Sequence, residues 1–311
     1  MARRAPQQGT ELSADLKTLF PYRGGARTHA SIQRRRTLLI TISLSARRSC
    51  WPAHSRRAER EDELNGAMSK ILILGATSPI ARALAMRFAA GGSSVFLAAR
   101  DRVEAERLAA DIAIRTGAMA VAGVFEATEL YFHATFFEKT MAALGGLDGV
   151  ILCFGTLGDE AAAQTNPDEA VATVNQNFTG AVSLLTLAAR HLEQQRSGFI
   201  IVIGSVAGER GRAKNYVYGS AKSALATFAQ GLRARLARAG VQVMTVKLGT
   251  VDTRMTWSGD SRLQVAPEAA ADKIIAAWRR NAEVVYVPWF WRPIMAVVRM
   301  IPERIFKRAT F

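Results

Sequence analysis

Cysteine is nearly missing from this chain: Cys50 and Cys153 are the only two in 311 residues. Two thiols make no disulfide framework, and such sparing use suits a reducing cytosol. Cys153 closes the apolar run Gly149-Val150-Ile151-Leu152-Cys153 and reads as a buried small hydrophobe. The four histidines, His29, His54, His133 and His191, are scattered, with no CxxC or HExxH spacing, so no metal site is expected. Membrane-length apolar runs are lacking too. The stretch from Leu38 to Leu44 is too short to cross a bilayer; it resembles a signal h-region after a basic n-region, but it lies deep in the chain with more arginines after it. There is no zinc finger, RNA-recognition signature or basic-region helix with heptads, so nucleic acid is not the expected partner despite a net charge of +15. No internal repeat is present.

That charge is unevenly placed. Residues 1–67 carry thirteen Lys and Arg against six Asp and Glu, in clusters such as Arg34-Arg35-Arg36, with little periodicity. Met68-Ser69-Lys70 looks like the start of a domain. The leader then reads as translated upstream sequence or a disordered tail, with a targeting or anionic-partner arm as the alternative.

From Lys70 onward, apolar segments alternate with helical ones. Strands are predicted at 71–74, 94–98, 120–125, 149–153, 199–203, 241–247 and 284–287. Helices are predicted at 79–90, 102–115, 131–144, 168–193, 216–239 and 267–280. Apolar strands that alternate with helices indicate a parallel sheet covered on both faces. The expected fold is α/β, a doubly wound Rossmann sheet ordered 3-2-1-4-5-6-7 over residues 68–288.

Three residues near the middle carry the chemistry. Tyr218 and Lys222 are four apart on a predicted helix, hence on one face and one turn apart. An ammonium beside a phenol favours the phenolate, so Tyr218 can pass a proton near neutral pH. Ser205 ends the preceding strand, thirteen residues before Tyr218, and can bridge the same carbonyl oxygen. This is the layout of a ketone-reducing site.

The first strand runs into Gly75-Ala76-Thr77-Ser78-Pro79-Ile80-Ala81 and then a helix. Amides and a positive dipole end there suit a pyrophosphate, so Gly75, Thr77, Ser78, Pro79 and Ile80 are candidate dinucleotide contacts. The second strand ends at Arg100-Asp101. Arginine at that tip suits the 2′-phosphate of NADP; Asp101 leaves NAD open but also fits the N-cap of the next helix.

Together these residues resemble the short-chain dehydrogenase/reductase family over nearly all of 69–311. The resemblance implies a catalytic tetrad of Asn177, Ser205, Tyr218 and Lys222. Tyr218 would protonate the carbonyl oxygen as hydride leaves the nicotinamide, and Ser205 would polarise the carbonyl. Lys222 would hold the nicotinamide ribose and lower the tyrosine pKa, and Asn177 would support a water that relays protons. It further implies that Glu126 meets the adenine, that Gly155 is the surviving glycine of the Asn-Asn-Ala-Gly motif, and that Thr253 meets the nicotinamide carboxamide. Pro79, Ala81 and Leu248 depart from the family pattern. A homo-oligomer is the expected assembly. A narrower resemblance, through the Gly-Ala-Thr-Ser opening, residues 155–159 and the tail 287–293, is to the decaprenylphosphoryl-2-keto-ribose reductase branch, whose members reduce a 2-keto sugar on a polyprenyl phosphate. Reduction of another lipophilic or small ketone is the alternative. A membrane-bound dinucleotide-sensing or scaffold protein is the non-enzymatic one.

Residues 254–266, with Met255 and Trp257, are the expected substrate cover. Residues 289–311 mix Trp289, Phe290, Trp291 and aliphatics with Arg292, Arg299, Arg304, Lys307 and Arg308. Aromatics interleaved with cations mark an interfacial helix, which would hold the protein at the cytoplasmic face of an anionic membrane; Pro293 and Pro302 would divide it. The alternative is a tail packed on the domain or on a partner subunit.

Overall fold

Seven short apolar segments pair side by side, all parallel, in the order β3-β2-β1-β4-β5-β6-β7. This is the order expected. The computed structural model describes residues 69–251 and 264–308. The leader 1–67, Thr253 and nearly all of the substrate cover lie outside them.

The strands are β1 (Lys70–Leu74), β2 (Ser94–Ala99), β3 (Ala120–Val124), β4 (Gly149–Leu152), β5 (Phe199–Ser205), β6 (Gln242–Leu248) and β7 (Val284–Val287). Their side chains alternate between two cores, as a period of two requires. Ile71, Ile73, Leu97, Ile151 and Ile201 face one side, under α1 (Pro79–Ala90), α2 (Arg102–Thr116) and a later helix, Pro267–Arg279. Leu72, Leu74, Val150, Leu152 and Val202 face the other. There α3 (His133–Leu144) and two further helices, Gly180–Gln195 and Tyr216–Leu236, cover the sheet. Each such leucine or isoleucine contributes about 1.5–3 kcal/mol by leaving water. Strand order reverses between β1 and β4, which opens a crevice beyond their carboxyl ends.

Local chemistry sets the helix ends. Ser78 caps α1 by accepting from the Ala81 amide, with Pro79 in the first turn, where its missing N–H costs nothing. Asp101 caps α2 through the Glu104 amide, as its position suggested.

Two expectations need correction. After a short α4 (Glu160–Ala163), the single helix expected over 168–193 is broken into α5 (Pro167–Val174), a π-helical turn (Asn175–Thr179) and α6 (Gly180–Gln195). A side chain accompanies the break: Asn177 in the turn donates to the Thr173 carbonyl one turn back in α5, and such bulges collect at functional sites. After α7 (Tyr216–Leu236) and α8 (Pro267–Arg279), the tail forms α9 (Trp291–Met300) and α10 (Glu303–Phe306). Pro302 separates them. Pro293 divides nothing, because it sits in the first turn of α9, where its missing N–H would have no intrahelical acceptor. Among the described residues no helix is long and apolar enough to cross a membrane.

Candidate active site

β5 delivers Ser205 at its carboxyl end, and α7 delivers Tyr218 and Lys222 from its first two turns. Ser205 Oγ accepts the Ala207 amide at 3.1 Å, which orients the hydroxyl and leaves its proton to donate. Tyr218 and Lys222 are 7% and 4% exposed, and Lys222 Nζ lies 5.7 Å from the Tyr218 ring centre. Burial pushes the Tyr218 phenol up to about 12; hydrogen bonding with Ser205 pulls it down, and the Glu160 carboxylate raises it further. The counterweight to burial is therefore Ser205, whereas the sequence suggested Lys222. Burial depresses Lys222 itself to about 8. The half-buried Cys153 thiol, just after β4, is pushed up to about 12 by desolvation, against the pull of the Lys222 charge.

Asn177 is fully buried in the π turn. Its Oδ1 accepts the Thr156 amide at 3.1 Å, and its Nδ2 donates to the Thr156 and Thr173 carbonyls, both at 2.8 Å. One donor hydrogen is spent on the loop after β4 and the other on α5, so what Asn177 can offer a water is an acceptor. Gly155 lies where Asn177 and Lys222 converge. A Cβ there would stand 2.6 Å from Asn177 Oδ1 and 2.7 Å from Lys222 Nζ, so a side chain would force one of them to move. All four tetrad candidates and Gly155 thus gather at the carboxyl ends of β4 and β5.

The turn after β1 fits a dinucleotide. Gly75, at φ +77°, packs on Phe154 so closely that a Cβ would meet the Phe154 nitrogen at 2.7 Å. The Gly75 and Ala76 amides are taken by the Ala98 carbonyl, and the Ser78 amide by Gly75. The amides of Thr77 and Ile80 have no acceptor among the described residues, which leaves two donors at the positive end of α1. Pro79 contributes shape only. At the tips of β2 and β3, Arg100 Nε and Glu126 Oε2 approach to 3.9 Å. The Arg100 side chain is 69% exposed and available to an anion.

Glu160 gave no signal in the sequence. It reaches from α4 to accept the Tyr218 amide at 3.2 Å and so caps α7, a task that the Asn215 side chain leaves undone. A carboxylate at a helix N-terminus is favourable, and burial raises its own pKa.

A short chain dehydrogenase family model matches residues 69–264. A protein described as an uncharacterized oxidoreductase in the mprA 5′ region of Streptomyces coelicolor is 38% identical over 247 residues, which is 79% of this chain and 98% of its own length. An uncharacterized oxidoreductase of Mycobacterium tuberculosis is 38% identical over 245 residues, 76% of this chain and 96% of its own. Among solved structures, a short-chain dehydrogenase from Sphingobium yanoikuyae in complex with NADPH gives a TM-score of 0.66 at 24% identity, over 76% of this chain and 97% of that one. NAD+-bound xylitol dehydrogenase gives 0.59 at 23% identity, over 69% and 85%. The two structures speak for the fold; the family match and the 38% relatives speak for descent. The chain belongs to the short-chain dehydrogenase family of oxidoreductases.

Proposed function

We propose that this protein is an NADP-dependent reductase that turns a ketone into a secondary alcohol, with a 2-keto sugar on a polyprenyl phosphate as its substrate class. The observation that carries the reading is the convergence of Ser205, Tyr218 and Lys222, two of them buried, beside a helix N-terminus with free amides. Bound NADPH supplies the hydride. Ser205 donates to the carbonyl oxygen and Tyr218 gives up its proton to it as charge develops there. Lys222, with a pKa drawn to about 8, is charged near neutral pH and stabilises the phenolate left behind. Asn177 holds the Gly155–Thr156 loop against Lys222.

Arg100 favours NADP over NAD, because its exposed guanidinium can fork onto a 2′-phosphate. Both cofactors occur among the structural neighbours, one solved with NADPH and one with NAD+.

Peripheral attachment at the cytoplasmic membrane face is supported by the tail. Trp289, Val297, Met300 and Ile305 are 77%, 63%, 81% and 62% exposed, among Arg292, Arg304, Lys307 and Arg308. Exposed apolar wedges ringed by cations suit an anionic lipid interface.

The deciding experiment follows NADPH consumption over a panel of soluble ketones and a polyprenyl-phosphate 2-keto sugar. Wild type should turn over the lipid-linked compound fastest. Tyr218→Phe should bind NADPH normally yet lose about a hundredfold or more in turnover. Turnover by the phenylalanine variant within a fewfold of wild type rules out Tyr218 as the proton donor.

A further inference from the structure

The C-terminal helices are fastened to the segment that carries Ser205. β5 ends at Ser205, and the chain folds at once into a 3-10 turn, Val206–Glu209. The last residue of that turn and the one after it reach into the tail.

Glu209 is 3% exposed at its side chain. Its Oε1 accepts the Tyr286 hydroxyl and lies 3.7 Å from Lys247 Nζ; its Oε2 lies 3.5 Å from Arg299 Nε of α9. That last contact is an ion pair without a formed hydrogen bond, for Oε2 is buried and otherwise unpartnered among the described residues. Burial and Glu209 together hold the Tyr286 phenol up at about 12, so it stays a donor.

Arg210 does more. Its Nη1 donates to the Val298 and Arg299 carbonyls at 3.2 and 3.0 Å, its Nη2 donates to Glu303 at 2.8 Å, and its guanidinium carbon lies 4.1 Å from the centre of the buried Phe306 ring. One side chain thus satisfies two carbonyls at the end of α9, pairs with a carboxylate of α10 and stacks on an aromatic face. Only a planar fork with several donors can do all of this. Tail and sheet meet again where the Trp291 indole fills the space a side chain on Gly249 would need.

The other side of the same turn is wedged against α7. A Cβ on Gly208 would come 2.7 Å from the Ser223 nitrogen, next to Lys222. The Ser205 turn is therefore clamped between the helix that bears Tyr218 and Lys222 and the tail.

We infer that Glu209 and Arg210 are positioning residues through which the C-terminal helices hold the Ser205 turn against α7, so that the Ser205–Tyr218 arrangement depends on a seated tail. The effect on turnover rests on the reductase reading above; the mechanical coupling does not.

The test uses the full chain with NADPH bound and compares wild type with Arg210→Met, Arg210→Lys and Glu303→Gln. Hydrogen exchange is read by mass spectrometry on peptides covering 204–212. Arg210→Met should speed exchange there by about tenfold or more while peptides from β1 to β3 stay unchanged. Arg210→Lys should recover little, since an ammonium cannot fork, and Glu303→Gln should show a smaller change of the same pattern. With a ketone that the enzyme reduces, Arg210→Met should lower kcat about tenfold at an unchanged KM for NADPH. In a Ser205→Ala background the same change should cost less than about twofold, because the residue it positions is gone. Unaltered exchange over 204–212 in a folded Arg210→Met protein overturns the coupling. An equal loss of kcat with and without the Ser205 hydroxyl overturns the positioning role. If wild type reduces no ketone, the reductase reading fails and the exchange pattern alone decides the coupling. If Arg210→Met does not fold, Glu303→Gln decides it, and normal exchange over 204–212 in that variant overturns the coupling.

Discussion

Replacing Lys222 with methionine should make the cofactor-free protein more stable while it abolishes turnover. The ammonium is 4% exposed, and no carboxylate pairs with it among the described residues. Burial draws its pKa from 10.5 down to about 8. At about 1.36 kcal/mol per unit, keeping that charge in the folded state costs about 3 kcal/mol. The pH dependence follows from the direction of the shift. The folded pKa lies below the unfolded one, so between about 8 and 10.5 the unfolded chain holds the proton more tightly. Below about 8 both states are charged and the full penalty applies; as the pH rises through that window the native lysine sheds its proton first and the penalty fades. Methionine has a stem of similar reach and carries no charge, so it fills the space without the penalty.

Urea unfolding of the cofactor-free protein, followed by tryptophan fluorescence, measures this directly. Lys222→Met should gain about 3 kcal/mol at pH 7 and less than about 1 kcal/mol at pH 10. Titrating groups that do not interact with Lys222 are common to both proteins and cancel in the difference; a Cys153→Ala background removes the thiol that does. A variant less stable than wild type at pH 7, or a gain that does not change with pH, refutes the reasoning. Either outcome would mean that the ammonium has support in the fold that its surroundings do not reveal.

Three further outcomes are expected. Arg100→Ala should weaken NADPH by about 1.5–3 kcal/mol, the scale of a charged hydrogen bond, and leave NADH nearly unchanged; titration of both cofactors checks it, and equal affinities in wild type argue against the 2′-phosphate contact. Gly155→Ala forces a methyl against Asn177 Oδ1 and Lys222 Nζ and should lower stability by about 1–3 kcal/mol along with most of the activity; a neutral melting temperature would show that the loop after β4 yields. Serine at Trp289, Val297 and Met300 should abolish flotation with anionic vesicles without unfolding the protein, because all three side chains point to solvent; if wild type itself stays off the vesicles, the membrane reading is lost.

What could be read from the sequence was whatever a single element encodes. Tyr218 and Lys222 share one helix, so their spacing alone put them on one face. The seven strands declared themselves through apolar runs, and the sheet order followed from alternation with helices. Ser78 and Asp101 showed themselves as caps because capping is local. The break at Asn175–Thr179 was hidden, since apolar periodicity passes straight through it; it is accompanied by Asn177 bonding to a carbonyl one turn back and to the Thr156 peptide 21 residues away. Glu160 was hidden for a similar reason, because its partner amide is 58 residues on.

The tail shows why such contacts change the meaning of a segment. As sequence, 289–311 is a self-contained amphipathic stretch, and cutting it off looks like a clean test of membrane binding. In the fold, Met295 and Phe306 are buried, and Arg210 bonds to Val298, Arg299 and Glu303 across 88 to 93 residues. Removing the tail would strip Arg210 of three acceptors and a ring, and Glu209 of one of its cations, all within five residues of Ser205. A buried carboxylate that loses a partner is costly, so the turn should shift. Loss of activity after truncation would then say nothing about lipid. The two roles separate only by residue: the outward Trp289, Val297 and Met300 can be altered for the membrane, and the inward Arg210 for the active site. A protein that keeps its exchange protection over 204–212 while losing vesicle binding would show that the outer face of α9 serves the lipid and its inner face serves Ser205.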